Sequence, residues 1–387
     1  MRENLADDPL LALGEPDNLA DPYPAYRRMR EHDPVRWHEG LGSWLLTRHA
    51  DCSAVLRDSV SFGSDFRRVG EETPAPLLSI QSLDPPEHTV IRHFVADAFR
   101  AQDFRAQERS IAERTRRGLA ALGEGPADLV AGLAEPVALG TITEFLGIPA
   151  PDPEWFVPMS HTIADGMDAG LWPETDEPAV RARAELAELA GGWLDDPPAH
   201  GLVGYVASRE LPPGLERAVL LNSLRALLHA GFESCARMLG NALAALLALP
   251  DGVERWRRAD PARAVDELIR FDAPVQADAR VCVAAATVGG TPIEPGQVMT
   301  LLLGAANRDP ARFEDPDEIR FDRAPNPHLG FGRGAHACVG SALAALQARV
   351  VFDVLAEERP GTALAAPPRF RRNLTLRGPY ALDVELR

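Results

Sequence analysis

Lysine is missing from this chain: all 40 basic residues among its 387 are arginine. That excludes enzymes that work through a lysine Schiff base, PLP enzymes among them, and nucleotide hydrolases that need a P-loop lysine. Positive charge is short altogether, since 57 acidic residues leave a formal charge of −17. A balance so acidic argues against a nucleic-acid partner, because phosphate contact needs a basic face. Cysteine is scarce too. Cys52, Cys235, Cys282 and Cys338 stand far apart with no C-x-x-C pair, against a zinc knuckle and against a disulfide framework in a chain this long. No stretch approaches the roughly 18 uninterrupted apolar residues that span a bilayer. The acidic start, Met1 to Asp8, lacks the charged-then-apolar layout of a signal peptide. The expectation is a cytoplasmic protein with neither membrane nor nucleic acid as partner.

What is present is a globular composition, 45% apolar against 25% charged, with no internal repeat or low-complexity linker to mark a domain boundary. Tyr23 to His32 reads as helix, and Val35–His38 and Trp44–Thr47 flank Glu39-Gly-Leu-Gly as a hairpin. From Glu87 onward the pattern is mostly helical, with strand-like pieces at Arg280–Val283, at Val298–Leu303 and around Leu374–Leu386. The segment from Leu215 to Leu249 carries no proline between Gly214 and Pro250. At about 1.5 Å per residue it predicts a helix roughly 50 Å long, far above the average. Its middle, from Leu227 to Cys235, sets Gly231, Glu233 and Ser234 in an apolar helix, which predicts either a kink or a polar edge.

The sharpest motif is F-x-x-G-x-x-x-C-x-G, running from Phe331 to Gly340 around Cys338. Glycines on both sides of the cysteine describe a tight loop whose backbone amides surround the sulfur. The helix that follows from Ser341 aims its positive end at the same place, favouring a thiolate. This frame resembles the cysteine loop of the bacterial cytochrome P450 family, with Phe331, Gly332 and Gly340 placed around the ligand. Three further segments fit the resemblance. Glu267 and Arg270 have the E-x-x-R spacing on one helix face, and the resemblance implies a third partner, for which Arg323 is the nearest arginine. Asn307-Arg-Asp-Pro resembles the family as well. In the run from Asp84 to Arg92, His88 and Arg92 stand at i and i+4. The resemblance makes them donors to a haem propionate, together with Arg280 and His336. Ala230, Gly231, Glu233 and Ser234 resemble the A-G-x-[DE]-T stretch above the haem, with Ser234 where threonine is usual. The glycine would admit oxygen, and Glu233 and Ser234 would pass protons through water.

The resemblance, which runs from about Pro22 to the C-terminus, implies a fold that is mainly α with a small β region, one triangular domain over residues 1–387. It implies haem b (iron protoporphyrin IX) as cofactor with Cys338 on the iron. The implied reaction is dioxygen-dependent hydroxylation or epoxidation of a hydrophobic small molecule, in secondary-metabolite (antibiotic) biosynthesis. Electrons would come from a ferredoxin and its reductase, with Arg333 in the docking face. Two alternatives remain open at this point. One is a haem-thiolate enzyme that couples, desaturates or closes rings without inserting oxygen. The other is a haem-free relative acting as a partner protein, against which Cys338, Gly332, Gly334 and Gly340 all stand. The substrate pocket is expected from residues 62–81, 159–172, 227–230 and 273–279 and from the turn near Thr375. Phe62, Phe66, Trp172 and Leu227 are its candidate walls, and Arg67 and Arg68 are candidate anchors for an acidic group.

Overall fold

A computed structural model describes residues 10–387; the acidic start at Met1–Asp8 lies outside the described residues. About 53% of the chain is helical, so the mainly α expectation holds, and the strands gather at a few edges. The hairpin Val35–His38/Ser43–Leu46 forms as expected. Gly42 supplies a left-handed φ of 57° in its turn, and Trp37 and Trp44 face each other across it with ring centroids 5.4 Å apart. Such aromatic cross-strand pairs stabilise an otherwise short hairpin. Ser43–Leu46 then runs parallel to Val298–Leu302, which pairs antiparallel with Ala277–Cys282, and Phe62–Gly63 closes the far edge.

The predicted long helix is Arg217–Ala248, 32 residues without a break. Its C-terminal half is buried on nearly every face from Cys235 to Ala244, which is why its apolar residues show no single stripe. The Glu135–Leu146 helix packs beside it, and the Ser341–Glu358 helix packs on Phe104–Leu122. Asp103 and Asp260 cap their helices by accepting backbone N–H groups at the first turn, removing donors that a helix start leaves unpaired.

One difference from the sequence reading lies near the C-terminus. Residues 373–377 form a loop, and the strands begin only at Pro379–Ala381 and Asp383–Leu386. The cause is Asp168, whose buried carboxylate accepts the N–H of Leu374 at 2.6 Å and of Thr375 at 3.1 Å, and the Thr375 hydroxyl at 2.6 Å. Those donors are satisfied by a carboxylate and need no neighbouring strand.

The E-x-x-R pair lies at the centre of the molecule. Glu267 and Arg270 have side chains 0% exposed and join through two bonds of 2.8 Å. Arg323 completes the set, its Nε 3.0 Å from both Glu267 oxygens. Arg270 also donates to the carbonyls of Asn307, Pro316 and Glu318. Asn307 Oδ1 in turn accepts the Leu329 N–H at 2.7 Å. This cluster therefore fixes the stretch from Asn307 to Leu329 that delivers the chain into the cysteine loop.

Candidate active site

The loop from Leu329 to Gly340 turns tightly because its own backbone closes it. Gly332 N–H donates to Leu329 at 2.8 Å, and Cys338 N–H donates to the Phe331 carbonyl at 2.8 Å. Gly332 and Gly334 have φ of 64° and 72°, and a Cβ on Gly334 would stand 2.1 Å from the Leu56 carbonyl oxygen. No other residue type fits there without moving the neighbouring helix. The result places Cys338 just before the Ser341–Glu358 helix, exposed at the wall of a cavity of about 430 Å³. Burial raises the thiol pKa, and the Gly340 N–H and Arg92 pull it the other way.

Across the cavity stands the long helix, presenting Leu227, Ala230, Gly231 and Ser234. The four predicted propionate donors, His88, Arg92, Arg280 and His336, also line the cavity. They are brought together but are not equally free. His336 Nε2 is 3.2 Å from Asp84 Oδ1, and its ring lies 4.2 Å from that of His88. Asp84 is held well below the usual carboxylate range. Its burial works against ionisation, but His336, Arg68 and two backbone N–H groups outweigh that. Arg280 reaches Asp278 at 2.8 Å. His88 Nε2, by contrast, is buried with no partner, and Arg92 has no hydrogen bond among the described residues. Burial first, then the cations His336 and Arg92, lower the His88 pKa to about 4. Donors without acceptors, at one side of an apolar cavity, are a standing demand for an anion.

The acid and alcohol of the long helix are adjacent in sequence but turned apart. Ser234 Oγ donates to the Ala230 carbonyl at 2.7 Å, so it meets the cavity as an acceptor. Glu233, 1% exposed, pairs with Arg237, accepts from Ser160 Oγ at 2.7 Å and lies 3.0 Å from His161 Nδ1. Burial opposes its charge, but Arg237 and His161 carry the carboxyl well below its ordinary value. Gly231 lines the cavity as expected of a residue above it, and its missing side chain has a packing reason as well. A Cβ there would come 2.5 Å from Ile142 Cδ1 on the Glu135–Leu146 helix. The missing side chain thus lets two helices approach.

Among the expected substrate residues, Leu227 and Thr375 line the cavity, together with Ile80, Gln81 and Met167 from the expected segments. Phe62 and Trp172 do not: Phe62 packs in the sheet core and Trp172 in the cluster around Tyr26. Phe66 is outside the lining as well. Arg67 and Arg68 cannot anchor an acidic substrate as they stand, because Arg67 is paired with Asp65 and Glu87, and Arg68 with Asp84. His161, Ser160 and Arg237 were not anticipated. The i, i+4 spacing of Glu233 and Arg237 was a readable signal; nothing local pointed to His161, which is 72 residues from its partner.

Together with the mainly helical fold, such a cavity defines a class: an enzyme built around a flat apolar prosthetic group with an anionic edge and a sulfur ligand. The comparisons agree. The Cytochrome P450 family pattern matches residues 262–355. Nocardicin C N-oxygenase of Nocardia uniformis subsp. tsuyamanensis is 36% identical over 96% of this chain and 97% of its own length. Mycinamicin IV hydroxylase/epoxidase of Micromonospora griseorubida is 34% identical over 93% and 94%. The crystal structure of Mycobacterium smegmatis CYP164A2 superposes with a TM-score of 0.88 at 32% identity, covering 97% of this chain and 99% of that one.

The chain belongs to the cytochrome P450 family. It is a monooxygenase with haem b as cofactor, and the cavity fits that group: Cys338 lines it, with the orphaned His88 Nε2 and the Arg92 guanidinium on its wall and no acceptor for either among the described residues. Among the described residues no single helix is long and apolar enough to cross a membrane.

Proposed function

We propose that Cys338 is the iron ligand and that the enzyme oxygenates an apolar small molecule of secondary metabolism. The relatives named for nocardicin C and mycinamicin IV support that substrate class. The observation that carries the reading is Cys338 lining a largely apolar cavity together with Ala230 and Ser234. Haem iron held by a cysteinate activates dioxygen, with sulfur donation favouring O–O cleavage. The protein's own residues do the rest. His88, Arg92, Arg280 and His336 would hold the propionates, His336 while bonded to Asp84. Phe331, Gly332 and Gly340 shape the loop that keeps water from the sulfur. Ile80, Leu227 and Met167 exclude water and orient the substrate by apolar contact. Ser234 Oγ holds a water by accepting a hydrogen bond from it, and Glu233 relays protons to the cavity that it lines.

Residues 1–387 act as a single domain in the cytoplasm, and electrons arrive from a ferredoxin and its reductase. Arg333 supports the docking reading. It lies beside the cysteine loop, and burial first, then the neighbouring cations Arg57 and Arg312, lower its pKa, marking a locally basic patch on an acidic protein. The test of the function is to find, by spin-state titration, an apolar metabolite that converts the haem to high spin, and then to supply labelled dioxygen. One labelled oxygen in the product is expected. An oxidised product without label would replace oxygenation by coupling or desaturation.

A further inference from the structure

The Glu233 cluster leads outward. The His161 ring lies between two carboxylates, with Nδ1 3.0 Å from Glu233 Oε1 and Nε2 3.1 Å from Glu135 Oε1. Its side chain is 12% exposed and that of Glu135 14%, whereas Glu233 is 1% exposed. The three therefore form an unbroken file from the protein's edge to the cavity wall, which Glu233 itself lines. Three helices build it: Glu135–Leu146, Pro153–Asp165 and the long helix. Glu233 is poorly suited to keep a proton of its own, because Arg237 lies on the same oxygen and Ser160 donates to the other. The ring is the member that holds one.

We propose that His161 is the proton store of this enzyme, passing its proton through Glu233 to the cavity and recovering it by way of Glu135. The inference rests on the monooxygenase reading and assigns the proton supply of that same site. In the transfer the Nδ1–H bond breaks and an O–H bond forms on Glu233, leaving a neutral ring; no electrons change hands. Glu233 then yields that proton to water in the cavity. The ring turns about its Cβ–Cγ bond, brings its bare nitrogen to the outer side and takes a new proton there. Everything that faces the ring favours this cycle or is neutral to it, with two exceptions. Burial disfavours the charged ring, but the bonds to Glu135 and Glu233 outweigh it, and Arg371 adds a smaller opposing charge. The net effect raises its pKa above the ordinary histidine value. His229, one helical turn before Glu233, faces the same carboxylate but bonds the Ser160 carbonyl and is kept neutral by burial.

Two measurements on the haem-loaded protein test this. The first is histidine-ring NMR of the reduced, carbon-monoxide-bound form, with the His161 signal identified by its loss in His161→Asn. Expected is a ring that is protonated at pH 7, with a midpoint that falls at least tenfold in proton affinity in Glu233→Gln. A ring neutral at pH 7, or a midpoint indifferent to Glu233→Gln, overturns the proposal. The second needs no substrate. With a surrogate ferredoxin and reductase, the share of electrons recovered as hydrogen peroxide rather than water is followed against pH. Expected is a share that rises above the His161 midpoint in the wild type, and a several-fold higher, pH-independent share in both His161→Asn and His161→Gln. If Glu233→Gln raises peroxide while the His161 variants keep the wild-type profile, the store is not His161, although the site reading stands. If Glu233→Gln and Ser234→Ala also leave the share unchanged, the proton role of the whole site fails with it.

Discussion

Glu267 and Glu233 occupy matching settings: each is a glutamate sealed from solvent, paired with an arginine one turn further along its own helix and with a second cation from elsewhere. The second cation separates them. At Glu267 it is Arg323, and the remaining bonds come from the Arg320 N–H and the Asn326 amide; every proton there is fixed. At Glu233 it is His161, a group that can give its proton away, with Glu135 behind it as an outlet. The same buried ion motif thus serves as a rivet beside the cysteine loop and as a conduit beside the cavity. A buried ion pair contributes little net stability over apolar packing, but removing one partner is costly. The Glu267 cluster is accounted for by what it fixes, the path of the chain from Asn307 to Leu329.

The comparison can be broken most forcefully at the rivet. Glu267→Gln leaves two buried guanidiniums without their anion and should cost about 3–5 kcal/mol, read as a lower denaturation midpoint and a lower haem content. Glu233→Gln keeps the Ser160 and Arg237 contacts in part and should cost less, about 1–3 kcal/mol, while shifting the pH dependence that Glu267→Gln leaves in place. Of similar size is the steric test. Gly231→Ala should cost about 1–3 kcal/mol by forcing its methyl against Ile142, and Ile142→Val should recover part of the loss; full stability in Gly231→Ala would remove the packing reason for the glycine.

The smallest effect is a slope. The folded protein raises the His161 pKa, so its contribution is fully present below the unfolded value near 6.5 and is lost as pH rises through the folded one. The Glu233 carboxyl is lowered, so its contribution is present above the ordinary 4.5 and is lost as pH falls through the folded value. Unfolding free energy of the wild type should therefore decline gently on both sides, and the alkaline decline should vanish in His161→Asn. Persistence of that decline would place its source elsewhere.

Much of this arrangement was legible in the sequence wherever function demands fixed local spacing. The glycines around Cys338, the turn-spaced Glu267 and Arg270, and the i, i+4 pair His88 and Arg92 are such cases, each contained in a few residues. What escaped depends on distant partners. Arg67 and Arg68 looked like free anchors because the carboxylates of Glu87 and Asp84, about 20 residues away, could not be seen to claim them. Phe62 and Trp172 read as pocket walls because an aromatic side chain buried in a sheet core or in a cavity leaves the same trace in sequence. His336 lies beside His88 and shares the cavity wall with Arg92, but its bond to Asp84 spans 252 positions. His161 stands in an ordinary amphipathic helix, and only the packing of three helices gives it two carboxylates.

The central claim is that the cavity holds a haem whose iron is bound by Cys338 as a thiolate. The measurement is the absorption spectrum of the reduced, carbon-monoxide-bound protein beside that of Cys338→Ala. A strongly red-shifted Soret band in the wild type, absent from the variant, is the predicted result. A band at the ordinary haem position in the wild type, or a red-shifted band that survives the substitution, would contradict it.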